Sequence, residues 1–418
     1  MHSRRRARWD WLFSLPVQIL LGLVVVVLLP GLARWDVKLM QELTPGQQPS
    51  VIGTSLAFVA GLILMRRFGR FPGVQGVSYI LPSFAITYGV LVLTMFFMRI
   101  DFARSMILAS FGTALIWCFL VWYLQSFRQP MRLAIVPFGS YLELLSSHPN
   151  MAMELLEKPS LQDLRADAVI ADLRADYPEE WERFLANCAL AGVPVYHMKQ
   201  MAESLTGRVR IEHLSENTLG ALLPSPEYVA LKRVLEIGGI LLFMPILFPV
   251  MSVLAILIRI DSPGSPIFLQ RRAGYRGQHF TMFKFRTMRT DMEGPSYTQA
   301  SDPRITRIGR VLRKCRMDEL PQIINVLLGH MSLIGPRPES VELSEWYERE
   351  IPHYRYRHIV RPGITGWAQV QQGFAAEVED VTDKLHYDFY YIKHFSLWLD
   401  MLIVLRTVHV VFTGNGSR

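Results

Sequence analysis

Apolar residues cluster in this chain rather than spreading evenly. Four runs, residues 11–32, 51–65, 77–98 and 105–124, carry no charge at all. A bilayer is crossed by roughly 20 apolar residues in a helix. Three of the runs reach that length; the second is short, but Gln47 and Gln48 suit an interface at its start. The first run is too long for the core of a signal peptide, and Pro30-Gly31-Leu32 is no cleavage site. The pattern predicts four transmembrane helices within residues 1–130. Arginines at 4–8, 66–70, 128 and 132 then fall on one side, which the positive-inside rule makes cytoplasmic.

The pattern changes over residues 131–224. Short apolar runs at 133–137, 168–171 and 193–196 read as buried strands. Between them, Trp181, Phe184, Leu185 and Cys188 recur at helical spacing over 179–191. Strands alternating with helices predict a small parallel α/β domain of Rossmann-like type. Its first strand leads into Phe138-Gly139-Ser140, not a GxGxxG turn, so a dinucleotide site is unsupported.

A fifth apolar run, residues 237–258, would reach about 33 Å as a straight helix. Lys232 and Arg233 precede it; Arg259, Arg271, Arg272 and Arg276 follow it. Pro245 and Pro249 lie inside, and each removes a backbone donor and bends a helix. Two readings stand: a fifth spanning helix, or a re-entrant hairpin over about 233–259 that keeps both basic flanks cytoplasmic. Residues 225–418 then form this membrane segment and a mainly helical domain. In it, 267–270 and 280–286 read as strands and 385–412 as two helical pieces, with 398–411 apolar enough for a membrane interface. The fold class is membrane α plus α/β.

Composition narrows the partners. The 418 residues are 50% hydrophobic and 19% charged, with a formal net charge of +8. Such a balance suits nucleic acid, anionic lipid or phosphorylated substrates, and membrane segments favour the last two over nucleic acid. Cys118, Cys188 and Cys315 are far apart without CxxC spacing, which argues against disulfides and zinc.

The chemistry centres on Asp318-Glu319. Ahead of the pair, Ile305, Ile308, Leu312 and Cys315 line one face of a basic helix whose other face carries Arg304, Arg307, Arg310, Arg313, Lys314 and Arg316. That face suits anionic headgroups or nucleotide phosphates. Pro321 suits a first helical turn, so the pair is expected at a helix N-terminus, where the dipole favours an ionised carboxylate. A simple helix cap explains one of the two acids. It does not explain why Arg286, Arg316, Arg337 and Arg361 are all available nearby in sequence. A carboxylate that attacks phosphorus needs the phosphate charge neutralised by arginine or Mg²⁺, and Glu319 is a plausible ligand for the metal. In Gly335-Pro336-Arg337-Pro338 two prolines fix the backbone around one arginine.

Several ordered motifs carry a resemblance. They are Lys232-Arg233, the run ending at Pro249, Lys284-Phe285-Arg286-Thr287-Met288, Asp318-Glu319-Leu320-Pro321-Gln322, Asn325-Val326, residues 331–338 and residues 361–370. From Lys232 onward the chain resembles the bacterial sugar transferases, the monotopic polyprenyl-phosphate phosphoglycosyl transferases, in their long form. The resemblance implies that Asp318 attacks the sugar-linked phosphate of a UDP-sugar and expels UMP. Undecaprenyl phosphate then takes the hexose-1-phosphate, starting exopolysaccharide, capsule or O-antigen synthesis. It implies Glu319 as a holder of Mg²⁺, phosphate contacts from Arg337, Lys284 and Arg286, and a hairpin bend at Pro249, shared here with Pro245. Where that family often has serine before the proline, this chain has Phe248. The expected setting is the bacterial inner membrane with the catalytic domain on the cytoplasmic face, and the N-terminal helices and α/β module are reasonable surfaces for a homo-oligomer. Two other readings remain: a metal-dependent glycosyltransferase that releases UDP, and a non-catalytic scaffold of a polysaccharide assembly.

Overall fold

The computed structural model describes residues 11–34, 47–68, 79–126, 132–139, 153–162, 164, 166–210, 224–289, 302–372 and 378–413. The arginines at 4–8, 70 and 128 lie outside the described residues. The chain divides into two compact units, Met1–Thr206 and Gly207–Arg418. Residues 207–209 go with the second because Val209 N–H donates to His386 C=O (3.0 Å) and Trp367 Nε1 donates to Gly207 C=O (3.0 Å).

The first unit opens with apolar helices: α1 (Leu15–Leu23), continued through a π-helical stretch Val24–Leu28 into α2 (Leu29–Arg34), then α3 (Gln48–Phe68), α4 (Ile80–Phe97) and α5 (Arg104–Ser126). The short second run therefore gains its length from flanking polar residues, including Gln48 and Arg66-Arg67. The helices meet over Phe58, Leu62, Ile80, Phe84 and Tyr88. Glycines admit the rings: a Cβ on Gly61 would lie 2.5 Å from Phe84 and one on Gly22 would lie 2.2 Å from Phe58. Leu108, Ile116 and Phe97 face outward with about 70% exposure (70%, 69% and 72%), the arrangement of helices whose solvent is lipid.

The α/β part of this unit is a four-stranded parallel sheet in the order β2 (Met153–Leu155), β1 (Leu133–Ile135), β3 (Ala168–Ala171), β4 (Val195–His197). Alternation decides its two faces. Ala134, Val169 and Ala171 pack on Trp181, Phe184 and Cys188 of α6 (Glu179–Leu190). Leu133, Ile135, Ala168 and Ile170 pack on Met198, Met201 and Leu205 of α7 (Met198–Thr206).

In the second unit α8 runs from Pro226 to Asp261 and stays helical through Pro245 and Pro249. Ile240, Met244 and Leu247 join a core with Phe280, Met282, Ile323 and Val326, and Met251, Leu254 and Ile258 join another with Phe285 and Leu312. These positions repeat at three and four residues, so one stripe of the helix faces the unit's core. The opposite side, including Leu242, Phe248 and Ile260, is exposed. Ser252 Oγ donates to Phe248 C=O (2.9 Å), a back-bond that bends helices one turn from Pro249.

Both ends of α8 are fastened to the same unit. Arg233 donates to the carbonyls of Val326 and Leu327, and Glu236 Oε1 accepts from Leu333 N–H (3.0 Å) and the Ser332 hydroxyl. At the far end Asp261 Oδ2 accepts from Ile308 N–H (3.2 Å). The rest comprises the hairpin β5 (Ile267–Ala273) and β6 (His279–Phe285), helices α9 (Arg307–Lys314), α10 (Gln322–Leu327) and α11 (Val341–Glu350), and the parallel pair β7 (Ser332–Ile334) and β8 (Gly363–Thr365). Helices α12 (Trp367–Gln371), α13 (Val378–Lys393) and α14 (Leu397–Thr413) close the chain.

Candidate active site

Asp318 and Glu319 occupy a single 3-10 turn, Met317–Glu319, placed between α9 and α10 by Arg316, whose backbone is left-handed (φ 56°). A non-glycine residue there costs energy and persists where the surroundings dictate it. The expected helix N-terminus is not what holds the pair, since α10 begins three residues after Glu319 and is only six residues long. Side-chain cations do that work instead. Arg337 Nη2 donates to Glu319 Oε1 at 2.8 Å, with Lys284 Nζ at 3.7 Å and Arg316 Nη1 at 3.8 Å from the same oxygen.

Electrostatics separate the two acids. Burial alone would raise the Glu319 carboxyl, but Arg337 and Lys284 outweigh it and hold it at about 2. Asp318 is raised above the ordinary value, by burial first and then by the Glu319 charge. Glu319 is 6% exposed, whereas Asp318 is partly open. One acid is locked as an anion inside a cation cluster; its neighbour is reachable and more basic. Divergent environments of this kind assign different roles to adjacent carboxylates. Lys284 falls to about 8, chiefly through burial and the neighbouring Arg337.

The Arg337 turn is rigid for reasons the structure supplies. Its four successive carbonyls, from Pro336 to Glu339, each accept one hydrogen bond. The donors are Gly363 N–H (2.9 Å), Arg357 Nη2 (2.9 Å), Arg272 Nη1 (3.0 Å) and Ala273 N–H (3.0 Å). Behind them Glu339 pairs with Lys384, and Arg357 with Asp388 (2.9 Å). Glycines allow the close approach: a Cβ on Gly363 would fall 2.1 Å from Gly335 N, and one on Gly366 2.2 Å from Gly335 O. Sequence reading took Arg272 only as part of a basic membrane flank and singled out none of Glu339, Arg357, Lys384 and Asp388. The only hint was Glu339 directly after the Pro-Arg-Pro triplet.

The remaining sequence candidates go elsewhere. Arg286 is buried and donates to the carbonyls of Ser262 (2.6 Å) and Pro263 (2.8 Å), closing the end of α8. Arg361 donates from Nε to Gly329 C=O (3.1 Å) and lies over the Tyr275 ring. Neither is among the cations brought to Glu319. Asn325 of the Asn-Val motif is a buried stitch, accepting from Phe283 N–H (3.0 Å) and donating to Thr281 C=O (2.7 Å). Pro245 and Pro249 lie within α8, away from the acid pair in sequence.

A metal would find few protein ligands here. Among the described residues no three His, Cys, Asp or Glu side chains converge. The available donors are the adjacent Asp318 and Glu319. That set fits Mg²⁺, which binds one or two carboxylates and completes its shell with water and substrate phosphate.

Comparison with known proteins identifies the family. Residues 227–414 match the bacterial sugar transferase family. The UDP-N-acetylgalactosamine-undecaprenyl-phosphate N-acetylgalactosaminephosphotransferase of Aeromonas hydrophila is 46% identical over 423 residues, covering 100% of both chains. The UDP-glucose:undecaprenyl-phosphate glucose-1-phosphate transferase of Xanthomonas campestris pv. campestris is 48% identical over 171 residues, 40% of this chain and 35% of its own. The Escherichia coli (strain K12) protein of the same description is 40% identical over 191 residues, 45% of this chain and 41% of its own. With full-length similarity on one side and a cation-locked carboxylate pair on the other, this chain belongs to the bacterial sugar transferase family and is a sugar-1-phosphate transferase.

Proposed function

We propose that the protein transfers a hexose-1-phosphate from a UDP-sugar to undecaprenyl phosphate through a covalent intermediate on Asp318. The observation that carries this is the contrast within the pair, a reachable, raised Asp318 beside a Glu319 locked by Arg337. An Asp318 oxygen attacks the sugar-linked phosphorus of the donor. The bond from that phosphorus to the bridging oxygen breaks, and UMP leaves with the electron pair. An oxygen of the lipid phosphate then attacks the aspartyl-linked phosphorus, forming polyprenyl-diphosphate-sugar and regenerating Asp318. Two anions must approach in each step, and Arg337, Lys284 and Arg316 supply the opposing charge. Mg²⁺, held by Glu319, would add charge neutralisation on the donor diphosphate.

N-acetylgalactosamine is the favoured sugar, because the full-length relative is described as acting on its UDP derivative. The site is assigned to the cytoplasmic face of the bacterial inner membrane, and the pathway to exopolysaccharide, capsule or O-antigen synthesis. α8 is read as a re-entrant segment that bends near Pro245 and Pro249, supported by the anchoring of both its ends to one unit. Labelling of Ser225→Cys and Ser265→Cys in a Cys315→Ser background should mark both on the cytoplasmic side; opposite sides would make α8 a fifth spanning helix.

Product analysis with a panel of UDP-sugars and undecaprenyl phosphate tests the reaction. UMP release with a hexose-1-phosphate on the lipid is expected. Release of UDP would sink the mechanism in favour of simple glycosyl transfer. Full activity in an Asp318→Ala variant would remove Asp318 from the chemistry.

A further inference from the structure

Three guanidinium groups gather at the end of α10 remote from the acid pair. Arg233 spends one donor on each of the carbonyls of Val326 and Leu327, and its Nη2 lies 3.5 Å from where a Gly329 Cβ would be. Arg361 spends only Nε, on Gly329 C=O. Arg361 and Arg276 both lie over the Tyr275 ring, with Cζ 5.1 and 5.0 Å from its centroid. Among the described residues Glu236 acts on Arg233 through space, but no carboxylate forms an ion pair with any of the three, and the terminal nitrogens of Arg361 and Arg276 make no hydrogen bond. Glu236, the nearest acid along α8, is already taken by Ser332, Leu333 and Lys232.

Capping the α10 carbonyls accounts for the Arg233 contacts and for Arg361 Nε. It does not account for a second and a third cation whose terminal nitrogens are unused. The surroundings are mixed in a particular way. The charge-free run of α8 starts four residues after Arg233, which puts the cluster at the level where the helix meets the apolar phase. Leu231, Val234 and Leu235 beside Arg233, and Leu328 beside Gly329, are 48–68% exposed. A cavity of about 240 Å³ opens on the Arg276 side, lined also by Arg355 and His358. Charged donors with an apolar rim match a ligand that has an anionic head and a hydrocarbon tail.

We propose that Arg233, Arg361 and Arg276 form a binding site for the phosphate of an anionic membrane lipid, distinct from the reacting phosphate at Asp318. The six residues of α10, about 9 Å of helix, stand between the two centres. The site's role is to hold the catalytic unit against an anionic leaflet beside the entry of α8, and it does not depend on the reaction assigned above.

The test uses full-length protein in neutral detergent and isothermal titration with dihexanoyl-phosphatidylglycerol, dihexanoyl-phosphatidylcholine or inorganic phosphate. The wild type should bind the glycerol lipid in preference to the choline lipid. The Arg276→Gln/Arg361→Gln double variant should bind the glycerol lipid about tenfold or more weakly, since charge-assisted contacts to phosphate are lost. Arg361→Lys should keep most of the affinity, and Arg276→Gln alone, on an exposed turn, should weaken binding with an unchanged melting temperature. Equal binding by wild type and the double variant overturns the site, as does equal affinity for the choline lipid. Inorganic phosphate binding as tightly as the lipid overturns the lipid assignment. A tenfold rise in KM for polyprenyl phosphate with unchanged glycerol-lipid affinity reassigns the cluster to the acceptor and overturns the proposal in that form.

Discussion

Arg337 donates from Nη2 to Glu319 Oε1 at 2.8 Å, and that bond makes the two neighbouring acids different. It holds Glu319 as an anion, and the same guanidinium acts on Asp318 through space. Replacing Arg337 with alanine is expected to lower kcat by about 100- to 1,000-fold, the usual cost of losing one group that opposes transition-state charge. Lysine should restore only part of the rate, because a point charge does not reproduce the planar fork. Steady-state assays of nucleotide release on both variants measure this.

Asp318→Asn keeps the size of the side chain and removes the carboxylate proposed as the nucleophile. Turnover should fall by at least about 1,000-fold. Intact-mass analysis of wild type with donor alone should show an added hexose-phosphate that the variant lacks. An adduct of unchanged yield in the variant would move the covalent step to another residue.

Gly363→Ala should damage the site without touching a catalytic group. Its Cβ would meet Gly335 N at 2.1 Å, backbone against backbone, where no side chain can turn aside. The expected destabilisation is about 3 kcal/mol or more, the upper range for overpacking. A lower melting temperature, together with a kcat loss larger than the KM change, would report displacement of the Arg337 turn.

Glu339 connects pH to stability. Burial would raise its carboxyl, but Lys384 and Arg357 overcome this and hold it at about 2, below the ordinary 4.5. A depressed carboxylate stabilises the fold above its unfolded pKa, and that stabilisation is lost as pH falls from about 4.5 towards 2. The wild-type melting temperature should therefore drop more steeply across that window than that of Glu339→Gln. The variant should be the less stable of the two at neutral pH. Parallel curves would remove Glu339 from the acid response.

Much of the architecture was legible along the chain. The apolar runs, three of the four parallel strands and the hairpin strands followed from periodicity. The strand Met153–Leu155 did not, because it lies at the sheet edge, is partly exposed and carries Glu154 in its middle. Arg286 shows the limit for single residues. Its motif suggested a phosphate contact, but the end of α8 presents two carbonyls to it, and no local pattern tells an arginine which acceptor will arrive.

The sequence by itself determined where the chain is apolar enough for lipid, where strands and helices alternate, and that Asp318-Glu319 and Pro336-Arg337-Pro338 are unusual. Those properties are local, and local sterics and hydrophobic period carry them. The tertiary structure alone decided what the acids are. Lys284 and Arg337 come from opposite sides of the pair in sequence, and the turn that aims Arg337 is held by Arg272, Arg357 and Gly363. Charge acts through space, so the protonation of a carboxylate depends on which cations packing brings within a few ångströms, wherever they lie along the chain.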